Sequence, residues 1–222
     1  MMTQTRMAPV YAMSGKLRGP SRLLGRWLAR RRARARLGGH VALYYHPRYA
    51  APHLAETARV PRLDLSRGER ILGALAEEGL VVPGDIRTPA PISLRALKRV
   101  HSEHYLERVE RREELAHIFG LEPHNLEVDE VLEAQRLAAG GTVEAASWVV
   151  EEAQREAFNL GGGFHHAEPE TGMGFCVFND VAVAVRTLRH RGFDSPIAIV
   201  DLDVHQGNGN LVTFAEDTSV LT

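Results

Sequence analysis

Residues 197–210 read IAIVDLDVHQGNGN, and this stretch decides the fold class. An apolar run leads directly into alternating polar residues, which is typical of a buried strand in a parallel sheet with a site at its carboxyl end. Alternation along such a strand places Asp201, Asp203 and His205 on one face. Two carboxylates and an imidazole in an apolar setting are costly unless a divalent metal compensates them. The stretch therefore predicts a metal site at the end of this strand.

The rest of the chain alternates short apolar runs with helical patterns. Strands are predicted over 40–45 and 158–160, in addition to the strand over 197–202. Helices are predicted over 66–79, 93–110, 129–151 and 179–191, the first with a capping box of Ser66 and Glu69. Strands that alternate with helices indicate an α/β fold, and we expect a three-layer α/β/α arrangement with a mostly parallel sheet.

Composition places the chain among ordinary globular proteins. Its 222 residues are 44% apolar and 25% charged, which suits one domain with a substantial core. Its apolar runs fall well short of the roughly 20 residues of a membrane span, so a membrane-spanning class is excluded. Cys176 is the single cysteine, which excludes an intrachain disulfide framework and agrees with a reducing compartment. We therefore expect a cytoplasmic protein.

The first 39 residues differ in composition from the rest. Residues 1–40 hold ten Arg or Lys and no acid, whereas the remainder carries 17 basic and 28 acidic residues. We predict a basic, disordered extension over 1–39 and a folded domain over 40–222. A transit peptide, or a patch that binds nucleic acid or anionic membranes, is an alternative for the extension. A secretory signal is disfavoured because no apolar segment of adequate length follows the charges, and outside the extension we expect no nucleic-acid partner.

Two further motifs precede the opening stretch. Residues 161–166, GGGFHH, follow a predicted strand, so backbone can approach a ligand closely and both His165 and His166 can reach one cavity. Adjacent histidines suit acid–base chemistry, and a phosphate cradle is disfavoured because the G-x-x-x-x-G-K-[ST] pattern is missing. Residues 172–180, GMGFCVFND, mix small and aromatic residues ahead of a helix, which suits an apolar pocket wall in which Cys176 is a small buried residue rather than a nucleophile.

In this order and spacing, GGGFHH, GFCVFND and DLDVHQGNGN resemble the histone deacetylase family of the arginase/deacetylase superfamily. The form DLDVHQGNG is most similar to bacterial acetoin-utilisation-type members and class IV deacetylases, and YYHPRY and RVHSEHYLERV resemble the family's N-terminal half. The resemblance implies an arginase/deacetylase-like fold and metal-dependent hydrolysis of an acetyl-lysine-type amide. The substrate would be an acetylated lysine side chain of a protein, an acetylated polyamine or another small amide.

The resemblance also implies roles for single residues. Asp203 and His205 match two zinc ligands, and their chemistry also suits ferrous iron. The tandem histidines His165 and His166 flank the catalytic water, with His166 as general base. Asp201 matches the carboxylate that hydrogen-bonds the first histidine and a ligand of a potassium site. Asn208 stands beside the second histidine, where some members have Asp, and it can orient an imidazole without supplying charge. Gly174 and Phe175 match the wall of the acyl-lysine tunnel.

Two expectations qualify this reading of the chain. In the family, the third zinc ligand and an oxyanion-stabilising Tyr follow beyond the position of Thr222, so we expect a C-terminally truncated catalytic domain that is inactive or impaired. We also expect an unpaired sheet edge and exposed apolar surface, which favour association. A non-catalytic remnant with a binding or scaffold role is one alternative. An arginase-like ureohydrolase with two manganese ions is another, which the D-x-D-x-H pattern alone permits.

Overall fold

The computed structural model describes residues 27–28, 31, 41–57, 64–151 and 156–222. Apart from Trp27, Leu28 and Arg31, the predicted extension over 1–39 therefore lies outside the described residues. The strands are β1 (Val41–Tyr44), β2 (Ile86–Arg87), β3 (Glu156–Asn159), β4 (Ile197–Ala198) and β5 (Val220–Leu221). The α-helices are α1 (Pro52–Thr57), α2 (Arg67–Glu77), α3 (Leu94–Leu97), α4 (Glu103–Arg108), α5 (Arg112–Phe119), α6 (Val128–Glu151), α7 (Asp180–His190) and α8 (Asn208–Phe214). None of the helices within the described ranges combines the length and apolarity of a transmembrane span.

The strands form two parallel sheets. One sheet has the order β2-β1-β3, with Leu43 opposite Ile86 on one side and Phe158 on the other. The second sheet pairs β4 with β5, with Ile197 opposite Val220. All of these pairs are parallel, and helices separate the paired strands along the chain. The predicted α/β class with a mostly parallel sheet is confirmed.

The long helix α6 organises the packing. It lies against β1, β3 and α7, and its buried residues include many small side chains, as its sequence predicts. Gly140 and Gly141 permit this closeness, because a Cβ atom at Gly140 would overlap the carbonyl oxygen of Ala90 and one at Gly141 would overlap the hydroxyl of Tyr49. The main hydrophobic core fills the space between α6 and helices α3 to α5.

The predicted helix over 93–110 is wrong, because the segment forms two short helices, α3 and α4. The hydroxyl oxygen of Ser93 accepts from the N–H of Ala96 at 3.3 Å, and that of Ser102 accepts from the N–H of Tyr105 at 3.1 Å. Each serine therefore begins a helix of its own. The predicted capping box at α2 is also wrong, since the Ser66 hydroxyl donates to Asp64 at 2.7 Å instead.

The strand predicted over 197–202 is shorter than expected, because β4 ends at Ala198. The side chains of Val200, Leu202 and Val204 are 77%, 91% and 92% exposed, so the predicted burial of this stretch is wrong. The carboxylates that follow the apolar run bind the backbone N–H groups two residues ahead, at 3.0 Å for Asp201 and 2.8 Å for Asp203. These turns use N–H groups that a strand would offer to a neighbour.

An open groove separates the two sheets. Among the described residues, no strand pairs with the outer edge of β3 or with the second edge of β4. The groove between them has a volume of about 630 Å³ and is lined mainly by apolar residues of both sheets and of α6 and α7, including Ala157, Ile197 and Leu188. The expected unpaired edge is present in this part of the structure.

Candidate active site

The tandem histidines lie side by side at the end of the glycine-rich loop that follows β3. The ring centroids of His165 and His166 are 4.2 Å apart, and the planes are inclined by 54°. His165 is buried, whereas His166 is partly exposed. The carbonyl of His165 accepts a hydrogen bond from the N–H of Gly209 at 2.8 Å, and a Cβ atom at Gly209 would crowd the carbonyl oxygens of His165 and Ala167. The second glycine of the GNG turn is therefore needed for the loop to lie against α8.

Asp201 orients the first histidine. Its Oδ2 atom lies 2.6 Å from Nδ1 of His165, and its Oδ1 atom accepts from the N–H of Asp203. Partial burial raises the pKa of Asp201, but these hydrogen bonds outweigh it, so the pKa lies below its ordinary value. The carboxylate of Asp201 accepts a hydrogen bond from Nδ1–H of His165, which leaves Nε2 as the ring nitrogen that faces the site.

Asn208 orients the second histidine. Its Oδ1 atom lies 2.6 Å from Nδ1 of His166, and its Nδ2 atom donates to Oε1 of Glu168 at 2.8 Å. Because the carboxylate of Glu168 only accepts, the amide nitrogen of Asn208 must face it and the amide oxygen must face the imidazole. His166 therefore carries its proton on Nδ1, which leaves Nε2 as the basic atom.

The D-x-H pair completes the cluster on its exposed side. The ring of His205 lies 5.7 Å from that of His166, centroid to centroid. Nδ1 of His205 is 2.9 Å from Oδ1 of Asp203, and the side chains are 71% and 52% exposed respectively. Hydrogen bonds from the backbone and ring of His205 lower the pKa of Asp203. The structure thus brings the predicted ligands beside the predicted base.

Carboxylate and imidazole are donor types that zinc and ferrous iron accept. Within the described residues, however, no three or more His, Cys, Asp or Glu side chains are grouped so that they could hold a metal ion. The donor types of Asp203 and His205 fit the predicted metal, and within the described residues the pair does not belong to a group of three such ligands.

The two predicted wall residues have different surroundings: Gly174 lies against the predicted base, and Phe175 borders a cavity. A Cβ atom at Gly174 would lie 2.6 Å from Cδ2 of His166, so this glycine lies directly against the predicted base. Phe175 has a positive φ of 68° and packs edge-on against Phe119. Its ring borders a cavity of about 240 Å³, together with the glycine-rich loop and Arg67.

Sequence reasoning missed several residues around the cluster. Glu168 fixes Asn208, and the sulfur of Met173 lies 3.7 Å from the same amide nitrogen. His101, buried in the break between α3 and α4, bridges the carbonyl of Glu168 and the N–H of Asn179, both at 3.0 Å. Cys176, in contrast, is the small buried residue that the sequence predicts: it is 4% exposed, and burial raises the pKa of its thiol to about 12. A polar residue such as Glu168 carries no local signal, because its role depends on a contact 40 residues away.

Comparisons with known proteins agree with this geometry. The model of the histone deacetylase domain matches residues 62–222. An uncharacterized protein of Picosynechococcus sp. is 34% identical over 187 residues, which cover 80% of this chain and 57% of that protein. The acetoin utilization protein AcuC of Bacillus subtilis is 34% identical over 146 residues, which cover 63% of this chain and 38% of AcuC.

A solved structure shows the same fold. The HDA15 HD domain superposes with a TM-score of 0.65 at 26% identity, and the match covers 82% of this chain and 52% of that domain. The matches thus span 57%, 38% and 52% of the lengths of these three proteins. Because the domain model covers most of the chain and includes the tandem histidines, the D-x-H pair and their partners, the chain belongs to the histone deacetylase family.

Proposed function

We propose that this protein is a deacetylase-type amidohydrolase that acts on an acetyl-lysine-type amide. The observation that carries the proposal is the paired orientation of the tandem histidines. Each Nδ1 atom lies 2.6 Å from an oxygen atom, of Asp201 for His165 and of Asn208 for His166. Family membership supports a deacetylase and favours it over an arginase-like ureohydrolase.

The two histidines divide the proton transfers. Nε2 of His166, freed by the hydrogen bond from its Nδ1–H to Asn208, accepts the proton of the attacking water. His165 rests against the carboxylate of Asp201, which stabilises positive charge on that ring. A protonated histidine of the pair then donates to the leaving amine, as general acid catalysis requires. Gly174, with no side chain beside His166, leaves room for the acyl group.

Asp203 and His205 are the residues that would hold the metal, for which we propose zinc, with ferrous iron as the alternative. Bound there, zinc would supply Lewis-acid polarisation of the amide carbonyl and would lower the pKa of a water molecule. A potassium ion at Asp201 is proposed from the family resemblance. An acetylated lysine of a protein, an acetylated polyamine or another small amide is the proposed substrate class, and a cytoplasmic location remains a prediction.

A non-catalytic binding role is the second candidate. It is favoured by the exposure of Asp203 and His205 and by their hydrogen bond to each other. A catalytic zinc site uses three protein ligands, and this pair provides two. We therefore propose that the 222-residue polypeptide by itself is inactive or strongly impaired, although its histidines are arranged for hydrolysis.

A chimaeric enzyme tests the proposed function. In Bacillus subtilis AcuC, the segment that matches this chain would be replaced by the corresponding residues of this protein, and zinc-dependent hydrolysis of an acetyl-lysine amide would be measured. We expect activity in the chimaera, loss of about 10²-fold or more with His166→Ala, and little activity in the 222-residue chain. The exposed His104, replaced by alanine, is the matched control.

Two results would overturn parts of this proposal. A folded, metal-loaded chimaera without activity would favour the non-catalytic role. Zinc-dependent hydrolysis by the purified 222-residue chain would contradict its proposed impairment. Metal analysis of Asp203→Ala and His205→Ala in the chimaera, each expected to lose bound zinc, separates a loss of metal from a loss of the base.

A further inference from the structure

Asp180 is a buried carboxylate that the proposed chemistry does not use directly. It is the first residue of α7, and its exposed fraction is 0%. Its oxygens accept hydrogen bonds from the backbone N–H of Gly163 at 3.0 Å, from that of Phe164 at 2.7 Å and from the hydroxyl of Thr142 at 2.5 Å. All three donors are neutral groups, so none of them offsets a negative charge on Asp180. Burial raises the pKa of Asp180, and the hydrogen bonds oppose this effect.

The loop that binds Asp180 is the one that carries the tandem histidines. Gly162 and Gly163 have φ values of 85° and 82°, which bring successive N–H groups towards a single acceptor. A Cβ atom at Gly162 would overlap Oδ2 of Asp180, so the glycine is required for the approach. His165 follows the second bound N–H by one residue. The carboxylate therefore fixes the backbone immediately before the histidine pair.

The preceding residue, Asn179, fixes the backbone immediately after the pair. Its Nδ2 atom donates to the carbonyl of Ala167 at 3.0 Å, and its Oδ1 atom accepts from the N–H of Ala182 in α7. Two consecutive side chains at the start of one helix thus hold both ends of the segment from Gly163 to Ala167. His165 and His166 lie within this segment, whereas their partners Asp201 and Asn208 lie in a later part of the chain. The path of the segment therefore sets the direction from which the two imidazoles approach these partners.

We propose that Asp180 is a positioning residue for the tandem histidines: by binding the N–H groups of Gly163 and Phe164, it sets the loop path that lets His165 reach Asp201 and His166 reach Asn208. The inference deepens the proposed deacetylase function and rests on it for its catalytic consequence. The positioning of the two histidines does not depend on catalytic activity, so it can be tested on the 222-residue chain.

Asp180→Asn is the decisive substitution. Asparagine has the same shape, but its amide nitrogen must face one of the two loop N–H donors, so one hydrogen bond is lost. If Asp180 positions the pair, the imidazole nitrogen and N–H resonances of His165 and His166 shift or broaden in NMR spectra of histidine-labelled protein. The control is Ser147→Ala, which removes a buried hydroxyl elsewhere in α6 that donates to the carbonyl of Val143 and accepts from the guanidinium of Arg191.

A purely structural role makes a different prediction. Asp180→Asn would then lower the stability, as we expect of Ser147→Ala, while the resonances of both imidazoles would coincide with those of the wild type. That result in folded protein would overturn the inference. If Asp180→Asn does not fold, Thr142→Val decides, because it removes one of the three donors and keeps the side-chain shape. The inference then expects a smaller displacement of the same resonances, and unchanged resonances would contradict it.

The AcuC chimaera supplies the catalytic readout. A displacement of the base by about 1 Å can reduce rate by about 10²-fold, so we expect Asp180→Asn to lower kcat by about 10- to 100-fold with little change in KM. An active chimaera whose kcat is unaffected would refute the positioning role. Shifted imidazole resonances in a chimaera that is inactive even with Asp180 intact would refute the proposed function and leave the positioning intact.

Discussion

Protonation of His101 should control the acid stability of this fold. The side chain is 2% exposed, its Nδ1 atom lies 3.0 Å from the carbonyl oxygen of Glu168, and its Nε2 atom accepts from the N–H of Asn179 at the same distance. A neutral ring with its proton on Nδ1 satisfies both partners. Burial lowers the pKa of His101 from 6.5 to about 4, and the hydrogen bond to Glu168 opposes this only in part.

The sign of the pH dependence follows from linkage. Between pH 6.5 and about 4 the unfolded chain carries a proton on His101 and the folded chain does not, so the stability falls as the pH falls. The contribution is complete above the unfolded pKa and is lost as the pH falls through the folded pKa. At about 1.4 kcal/mol for each pKa unit, the total is about 3 kcal/mol. About 2 kcal/mol of this is lost by pH 5.

Urea unfolding at pH 7.5 and pH 5 measures this contribution. His101→Gln keeps a donor and an acceptor without a titrating group, so it should cost about 1–3 kcal/mol at pH 7.5 through imperfect hydrogen bonds. Between pH 7.5 and pH 5, the free energy of unfolding of His101→Gln should fall by about 2 kcal/mol less than that of the wild type. The exposed His104, changed to glutamine, should behave as the wild type. Parallel losses in the wild type and His101→Gln would refute the reasoning.

Three further substitutions have defined outcomes. Gly140→Ala would gain about 1 kcal/mol of helix propensity, but its methyl group would overlap the carbonyl of Ala90. Urea unfolding should therefore show that the free energy of unfolding falls by about 1–2 kcal/mol. For the control Gly84→Ala, where the added methyl group meets no neighbour, it should change by less than about 0.5 kcal/mol. Gly174→Ala places a methyl group 2.6 Å from the second imidazole at a φ of 56°; kcat of the chimaera should fall about 10-fold or more, and an unchanged kcat would count against the assigned role. The apolar groove and exposed side chains predict self-association of the protein. Light scattering should show that Val200→Lys associates less than the wild type, and equal association of the two proteins would contradict this role of the surface.

Helix positions were predictable where periodicity and end signals agreed. The helices over 129–151 and 179–191 are confirmed as α6 and α7, the latter with Asn179 as a bonded N-cap. The prediction of a single helix over 93–110 was wrong because the apolar spacing continues across the break between α3 and α4, where Ser102 caps a new helix. Ser93 and Ser102, each able to accept from an N–H three residues ahead, carried the local signal.

The candidate site was predictable in its residue types and only partly in its contacts. The motifs placed His165, His166, Asp201 and Asn208 in one cluster through their resemblance to a family, and the structure places the histidines against those two partners. Glu168 was not predictable, because an acidic loop residue is usually solvated and its function depends on tertiary placement. The hydrogen bond to Glu168 fixes the orientation of the Asn208 amide, which the sequence alone could not provide.

The stretch after β4 departs from the predicted strand, although its carboxylates reach the predicted histidines. Strand formation requires that the N–H groups of residues 199–205 find carbonyl partners on neighbouring strands, and β5 supplies one, at Ile199. Beyond it, Asp201 and Asp203 satisfy the N–H groups two residues ahead with their own carboxylates. The same carboxylates then reach the imidazoles of His165 and His205. Because a carboxylate has two oxygens, Asp201 uses one for the local turn and the other for the histidine, so the turn and the orientation of His165 depend on one side chain. Loss of Asp201 should therefore disturb both together.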